Sequence, residues 1–152
     1  MKILFVCLGN ICRSPLAEAI FKHKIKEKGL EIQFSADSCG TANYHIGYSP
    51  DTRTIRNAVK NGVPMRHLGR QFSSADFDAF DLIFPMDKSN LNTILQLSND
   101  ASHLKKVKLV RQYDPNGQGD VPDPYNGTDK DFQEVFDILD RTIENLIDEL
   151  KT

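Results

Sequence analysis

The segment from Cys7 to Ser14 combines residue types that can carry out covalent phosphoryl transfer: a cysteine, five intervening residues, an arginine and a serine. A cysteine thiolate is a strong nucleophile. An arginine offers a planar fork of donors that can hold two phosphoryl oxygens, and a serine hydroxyl can cap a helix or donate to the thiolate. The spacing therefore predicts a phosphate-binding loop in which Cys7 attacks and Arg13 holds the transferred group.

The elements around this segment are those that an anion-binding loop requires. The apolar run 2–6 predicts a buried strand, and Ser14 followed by Pro15 predicts the cap and first turn of a helix. Backbone N–H groups that curl between a strand and a helix can surround an oxyanion, and the helix dipole favours both that anion and the Cys7 thiolate. The predicted phosphate-binding residues are Leu8, Gly9, Asn10, Ile11, Cys12 and Ser14.

Alternating apolar segments predict the rest of the fold. Short runs suited to strands alternate with amphipathic stretches suited to helices, which implies a parallel sheet covered by helices on both faces. Such sheets bind ligands beyond the carboxyl ends of their strands. The chain of 152 residues is long enough for one α/β domain, over 1–152. The predicted strands are 2–6, 31–36, 81–84 and 106–110, and the predicted helices begin at Ser14, at Ser49, at Asp87 or Ser89, and at Thr128.

Composition and charge narrow the class of protein. Nineteen Lys and Arg residues against 21 Asp and Glu residues give a net charge of -2, which disfavours a general nucleic-acid binder. No apolar run approaches the ~18 residues that a membrane span needs. Three cysteines are too few for a disulfide scaffold, so we expect a cytoplasmic protein. The histidine spacing predicts no metal site, and we expect no cofactor.

A second catalytic group must protonate the leaving oxygen and then activate water, a role that suits an aspartate on a separate loop. Two Asp-Pro turns qualify, at Asp114 and at Asp123, and Asp120 lies between them. Each reads equally well as a plain turn. The residues alone leave the choice open.

The sequence Cys-Leu-Gly-Asn-Ile-Cys-Arg-Ser-Pro-Leu-Ala-Glu-Ala, over 7–19, resembles the signature of the low-molecular-weight protein tyrosine phosphatases. Met86-Asp87-Lys88-Ser89-Asn90 and Asp123-Pro124-Tyr125 fall in the family order, so the resemblance covers nearly the whole chain. It implies a four-stranded parallel sheet with helices on both faces. It also implies hydrolysis of phosphotyrosine in proteins through a cysteinyl-phosphate intermediate, with inorganic phosphate as product.

The resemblance assigns roles beyond the loop. It selects Asp123 as the general acid over Asp114 and Asp120. Tyr125 matches one wall of the substrate groove, and Tyr44 matches the aromatic residue that flanks the phosphotyrosine ring. Ser38 and His67 match residues that, with Asn10, hold the loop in shape by hydrogen bonds. Many members carry a second aromatic residue where this chain has Asn126, and the family assigns no role to His45.

Three alternative functions compete with that of a monomeric tyrosine phosphatase. Arginine phosphatases of the same family typically carry Thr where this chain has Ile11, and an apolar residue there suits an aryl phosphate better. Arsenate reductases with a similar loop need a late cysteine pair, whereas the last cysteine here is Cys39. A catalytically silent phosphopeptide-binding module would not need Cys7, Arg13 and Asp123. The resemblance also implies a reversible disulfide between Cys7 and Cys12 on oxidation.

Overall fold

The computed structural model describes residues 1–151 and contains a parallel β-sheet. Strand β1 (Lys2–Cys7) lies between β2 (Ser35–Gly40) and β3 (Leu82–Pro85). Phe5, near the middle of β1, is in register with Ser38 on one side and with Phe84 on the other. The alternation of strands and helices therefore predicted the parallel pairing correctly.

A fourth strand over 106–110 was expected, and within the described residues the sheet has three. Val107 makes one isolated parallel bridge to Ile83. The chain then crosses the edge of the sheet, because Val107 packs in the core on one face whereas Val110 packs in the core on the other. Val110 begins a short 3₁₀ helix, Val110–Tyr113, so the pairing cannot continue.

Helices cover both faces of this sheet. The side chains of β1 alternate, so that Ile3 and Phe5 belong to one buried cluster while Leu4 and Val6 belong to a second. Helices α1 and α6 contribute to the first cluster, and α3 and α4 contribute to the second. The helices are α1 (Arg13–Glu27), α2 (Thr52–Lys60), α3 (Asp76–Ala79), α4 (Lys88–Leu95), α5 (Ala101–Leu104) and α6 (Asp129–Leu150).

The second strand lies further along the chain than the alternation at 31–36 predicts. Gln33 and Phe34 both donate their N–H groups to the carbonyl of Leu30, which closes a turn. Ile32, which the alternation placed on the buried side, is fully exposed at 102%. The strand begins at Ser35, where the first residues pair with β1.

Two helix starts also differ from the prediction, whereas two agree with it. Cys12, and not Ser14, is the N-cap of α1. Asp51, and not Ser49, caps α2, because its carboxylate accepts the N–H of Arg53. Asp87, one of the two alternatives that the sequence left open, caps α4, and Thr128 caps α6 as predicted. None of the helices within residues 1–151 is long and apolar enough to cross a membrane.

Candidate active site

The loop between β1 and α1 is held in a tight curl by the side chain of Asn10. This residue has a left-handed backbone with φ 57°, which Asn tolerates better than most residues. Its amide Nδ2 donates to Ser14 Oγ at 2.8 Å and to Ser38 Oγ at 3.1 Å. Its Oδ1 lies 2.7 Å from His67 Nε2 and accepts the N–H of Arg70 at 3.1 Å. The buried Asn10 side chain is therefore fully partnered, and the loop is shaped by the protein itself.

A buried carboxylate supports this network from below. Ser38 Oγ donates to Glu18 Oε1 at 2.7 Å, and His67 Nδ1 lies 3.1 Å from the same oxygen. Burial alone would raise the pKa of Glu18, but hydrogen bonds from His67, Lys22 and Ser38 hold it below its usual range. Glu18 was not singled out from the sequence. Its signal in the sequence was a single charged residue within the otherwise uncharged run 14–21.

The same cluster has the spacing of a metal site, since Glu18, Asp37 and His67 place ligand atoms within 4.8 Å of one another. These atoms already have protein partners. Glu18 Oε1 accepts from Ser38, and Asp37 Oδ2 accepts from Arg70 Nε at 3.0 Å. Hydrogen bonds and ion pairs therefore account for the arrangement.

The thiol of Cys7 lies at the carboxyl end of β1, on the floor of a cavity of about 410 Å³. Its Sγ is 3.0 Å from Ser14 Oγ. Since Ser14 Oγ already accepts from Asn10, its own proton can go to Cys7 Sγ or to the carbonyl of Cys39, which is 3.3 Å away. The shorter contact is the one to sulfur. Ser14 Oγ therefore lies within hydrogen-bond distance of the Cys7 sulfur.

The guanidinium of Arg13 is buried, and its two hydrogen-bond partners, Asp87 and Val121, do not line the cavity. Nη1 donates to Asp87 Oδ2 at 2.7 Å and to the carbonyl of Val121 at 2.9 Å. Burial alone would lower the pKa of Arg13, but the negative charges of Cys7 and Asp87 raise it above its ordinary value. The cation is therefore permanent and its plane is fixed, which is the condition for a two-pronged grip on a phosphoryl group.

Of the three aspartates weighed as the general acid, only Asp123 lines the cavity that contains Cys7. Its side chain is 48% exposed, and Oδ2 lies 3.7 Å from Arg13 Nη2. Asp114 is buried and paired with Arg111 and Arg141.

Asp114 and Asp120 are engaged elsewhere. Burial would raise the pKa of Asp114, but hydrogen bonds, chiefly from Arg141, lower it to about 2. A carboxyl group with that pKa carries no proton to donate near neutral pH. Asp120 accepts the N–H of Lys88 at 3.1 Å.

Aromatic and apolar side chains form the walls of the cavity. Tyr44 is 65% exposed and Tyr125 is 46% exposed, so each has surface that can contact a substrate. Two lining residues had no predicted role: His45 and Asn126. The complete lining is Cys7, Leu8, Gly9, Ile11, Cys12, Arg13, Tyr44, His45, Asp123, Tyr125 and Asn126.

His45 also explains the glycine in the loop. A Cβ at Gly9 would lie 3.1 Å from His45 Cδ2, which is tighter than ordinary packing. The sequence signal for this contact was only the flexibility of glycine, which does not reveal its neighbour.

Cys12 lines the cavity beside Cys7, and its burial raises its pKa to about 12. The residue is thus a thiol under ordinary conditions. Cys7, Cys12 and Cys39 are all free. The expected oxidative disulfide between Cys7 and Cys12 stays a prediction.

Comparison with known proteins gives consistent matches. A family model described as low molecular weight phosphotyrosine protein phosphatase matches residues 2–152. A Schizosaccharomyces pombe protein of that name is 43% identical over 137 residues, covering 90% of this chain and 88% of the relative. The crystal structure of an Entamoeba histolytica protein tyrosine phosphatase has a TM-score of 0.96 and 39% identity, covering 99% of this chain and 97% of the other. A drosophila arginine phosphatase structure has a TM-score of 0.92 and 33% identity, covering 100% and 99%.

Proposed function

The chain belongs to the low-molecular-weight phosphotyrosine protein phosphatase family, and from this premise we propose that Cys7, Arg13 and Asp123 hydrolyse phosphotyrosine in its cavity. The observation that supports this assignment is their convergence: a nucleophile, a fixed cation and a partly exposed carboxyl group face one cavity between two tyrosines. These are the groups that a covalent phosphatase mechanism requires.

In the first step, the Cys7 thiolate attacks phosphorus and forms the S–P bond while the bond from phosphorus to the tyrosine oxygen breaks. The loop amides and Arg13 bind the three phosphoryl oxygens, and their grip tightens as charge develops. Asp123 donates its proton to the departing phenolate, which leaves as neutral tyrosine. The product of this step is a phosphocysteine.

In the second step, a water molecule enters where the tyrosine was bound. The Asp123 carboxylate takes a proton from that water while the water oxygen attacks phosphorus. The S–P bond breaks, inorganic phosphate forms, and Cys7 returns to the thiolate. Ser14 stabilises the sulfur as leaving group because its hydroxyl lies 3.0 Å from Cys7 Sγ.

We propose that the substrates are phosphotyrosine proteins and that the enzyme acts as a monomer in the cytoplasm. Three free cysteines suit a reducing compartment. Tyr44 and Tyr125 line the cavity and are exposed, which suits a flat aromatic substrate. Ile11 adds an apolar surface to the same cavity.

A panel of phosphopeptides tests this function against its nearest rival. We expect release of phosphate from phosphotyrosine peptides and little or none from matched phosphoserine and phosphoarginine peptides. Phosphoarginine is included because an arginine phosphatase has the same fold at 33% identity. A preference for phosphoarginine would contradict the proposal, and binding of phosphotyrosine without any turnover would identify a phosphopeptide-binding module instead.

Asp123→Ala should remove the general acid and leave the loop intact. General-acid catalysis contributes ~10²–10⁴-fold, so we expect a loss in that range for phenyl phosphate, whose leaving group needs a proton. The loss should be much smaller for 4-nitrophenyl phosphate, whose leaving group is stable as an anion. The measurement is kcat/KM for both esters.

Asp114→Ala and Asp120→Ala are the matched controls for this series. Neither residue lines the cavity, so neither variant should show a dependence on the leaving group. An equal and small loss for both esters in Asp123→Ala would move the acid role away from Asp123.

A further inference from the structure

The first turn of α2 lies between the phosphate loop and the loop that carries Asp123. Asp51, the residue that caps α2, donates its own N–H to the carbonyl of Ile11 at 2.8 Å. Its carboxylate Oδ1 accepts the N–H of Arg53 at 2.9 Å. The start of α2 is therefore fixed to the phosphate loop at the residue before Cys12.

Arg53 extends this attachment to the opposite side of the cavity. Its Nε and Nη2 contact the two oxygens of Asp51 at 3.1 and 2.9 Å. Its Nη2 also donates to the carbonyl of Tyr125 at 2.9 Å. The guanidinium carbon lies 5.5 Å from the Tyr125 ring centroid and 4.6 Å from the Phe132 ring centroid. One side chain thus connects the cap of α2, a cavity wall and the first turn of α6.

Tyr125 connects Arg53 to Asp123, the proposed general acid. Tyr125, whose carbonyl Arg53 holds, donates its own N–H to Asp123 Oδ1 at 3.1 Å. The other contact of Asp123 is the 3.7 Å approach to Arg13, and its side chain is half exposed. The orientation of the carboxyl group therefore depends on where the backbone at Tyr125 is held.

We infer that Arg53 is a positioning residue for catalysis: it sets the distance of Asp123 and Tyr125 from the phosphate loop. This inference rests on the proposed role of Asp123. Arg53 lies outside the set of residues that line the cavity, so it acts through Tyr125 and not on the substrate. Its charge is already matched by Asp51, since hydrogen bonds from Arg53 hold the pKa of that carboxyl group below its usual range.

The role requires a guanidinium. Arg53 uses two nitrogens on Asp51 while its guanidinium carbon lies over two aromatic rings. A lysine ammonium is a point charge with no plane, and it cannot reproduce the fork and both ring contacts together. Arg53→Lys therefore keeps the positive charge and removes this geometry.

The test compares Arg53→Lys and Arg53→Ala with Arg56→Ala. Arg56 is exposed on the same helix, and within residues 1–151 it makes no hydrogen bond or ion pair with the acid loop. Misplacement of a catalytic group by about 1 Å can cost ~10²-fold. We expect kcat/KM for phenyl phosphate to fall ~10–100-fold in both Arg53 variants and to stay near the wild-type value in Arg56→Ala. The fall for 4-nitrophenyl phosphate should be several times smaller.

Two further measurements separate positioning from a general structural defect. Vanadate affinity, which reports the phosphate loop, should stay within a few-fold of wild type in Arg53→Lys. The double variant of Asp123→Ala and Arg53→Ala should have a kcat/KM for phenyl phosphate less than about threefold below that of Asp123→Ala alone. The effects of two residues that act through one step are not additive. A merely destabilised protein would lose vanadate binding and both esters equally.

The outcomes are distinguishable from failure of the proposed function. If Asp123→Ala itself shows no leaving-group dependence, the acid assignment fails and the inference on Arg53 fails with it. If Asp123→Ala behaves as expected while Arg53→Ala loses both esters equally, or multiplies the Asp123→Ala defect, only the positioning role is overturned.

Discussion

Cys7→Ser should release no measurable phosphate and should still bind oxyanions. The serine hydroxyl is a far weaker nucleophile than a thiolate, and loss of a covalent nucleophile can cost ~10⁶-fold in turnover. The loop amides and Arg13 are untouched, so the phosphate site itself remains. The measurement is phosphate release from a phosphotyrosine peptide, with vanadate or phosphate affinity followed in parallel by calorimetry.

Cys39→Ser is the matched control for this variant. Cys39 is also a buried free cysteine, but it belongs to the other buried cluster from Cys7 and does not line the cavity. It should retain the catalytic activity even if the protein is less stable. More than a small residual rate in Cys7→Ser would contradict a covalent intermediate on sulfur. Trapping of a phosphorylated cysteine in the wild-type protein by acid quench would support it directly.

Arg13→Lys should lose nearly as much activity as Cys7→Ser, although the positive charge is kept. An arginine that stabilises a phosphoryl transition state contributes ~10³–10⁵-fold. The rigid guanidinium of Arg13 donates to Asp87 and to the Val121 carbonyl and also lines the cavity. An ammonium group can reach one or two of these partners but cannot hold two phosphoryl oxygens in the same geometry. We expect a loss of that size in kcat/KM for aryl phosphates, together with weaker vanadate binding.

Arg56→Lys makes the same change at an exposed position on α2 and should keep the wild-type rate. Wild-type turnover by Arg13→Lys would remove the arginine from the transition state. A loss of turnover with unchanged vanadate affinity would show that Arg13 does not bind the oxyanion and would contradict its proposed grip on the phosphoryl group.

The phosphate loop and its flanking elements were predictable because several local signals agreed there. The apolar run 2–6, the spacing from Cys7 to Arg13 and the Ser14-Pro15 pair all point to strand, loop and helix in one order. Even so, Ser14 is not the helix cap. Its hydroxyl lies against Cys7 Sγ, a tertiary contact that no local pattern encodes.

The second strand was misplaced for a related reason. Ile32 and Phe34 suggested a half-buried strand, but the actual strand Ser35–Gly40 contains several polar residues. Ser38 is polar because it lies beneath the phosphate loop and donates to Glu18. A functional requirement therefore interrupts the hydrophobic pattern from which strands are predicted.

The choice among three aspartates could not be made from residues alone, since Asp-Pro turns look alike in sequence. The family resemblance selected Asp123. In the fold, Asp114 is enclosed by Arg111 and Arg141, whereas Asp123 lines the same cavity as Cys7. The contacts of Glu18, Asp87 and Arg53 join residues far apart in the chain. Such pairings depend on topology and are not visible in spacing.

The internal network around Asn10 has a consequence for the enzyme at work in a cell. Because Ser14, Ser38 and His67 shape the loop before any ligand enters, binding requires little ordering of the protein. The preformed loop should also bind the product, since inorganic phosphate has the same oxygens that the loop binds in the monoester. We therefore expect free phosphate to compete with the substrate, so that the rate of the enzyme falls as the phosphate concentration of its surroundings rises.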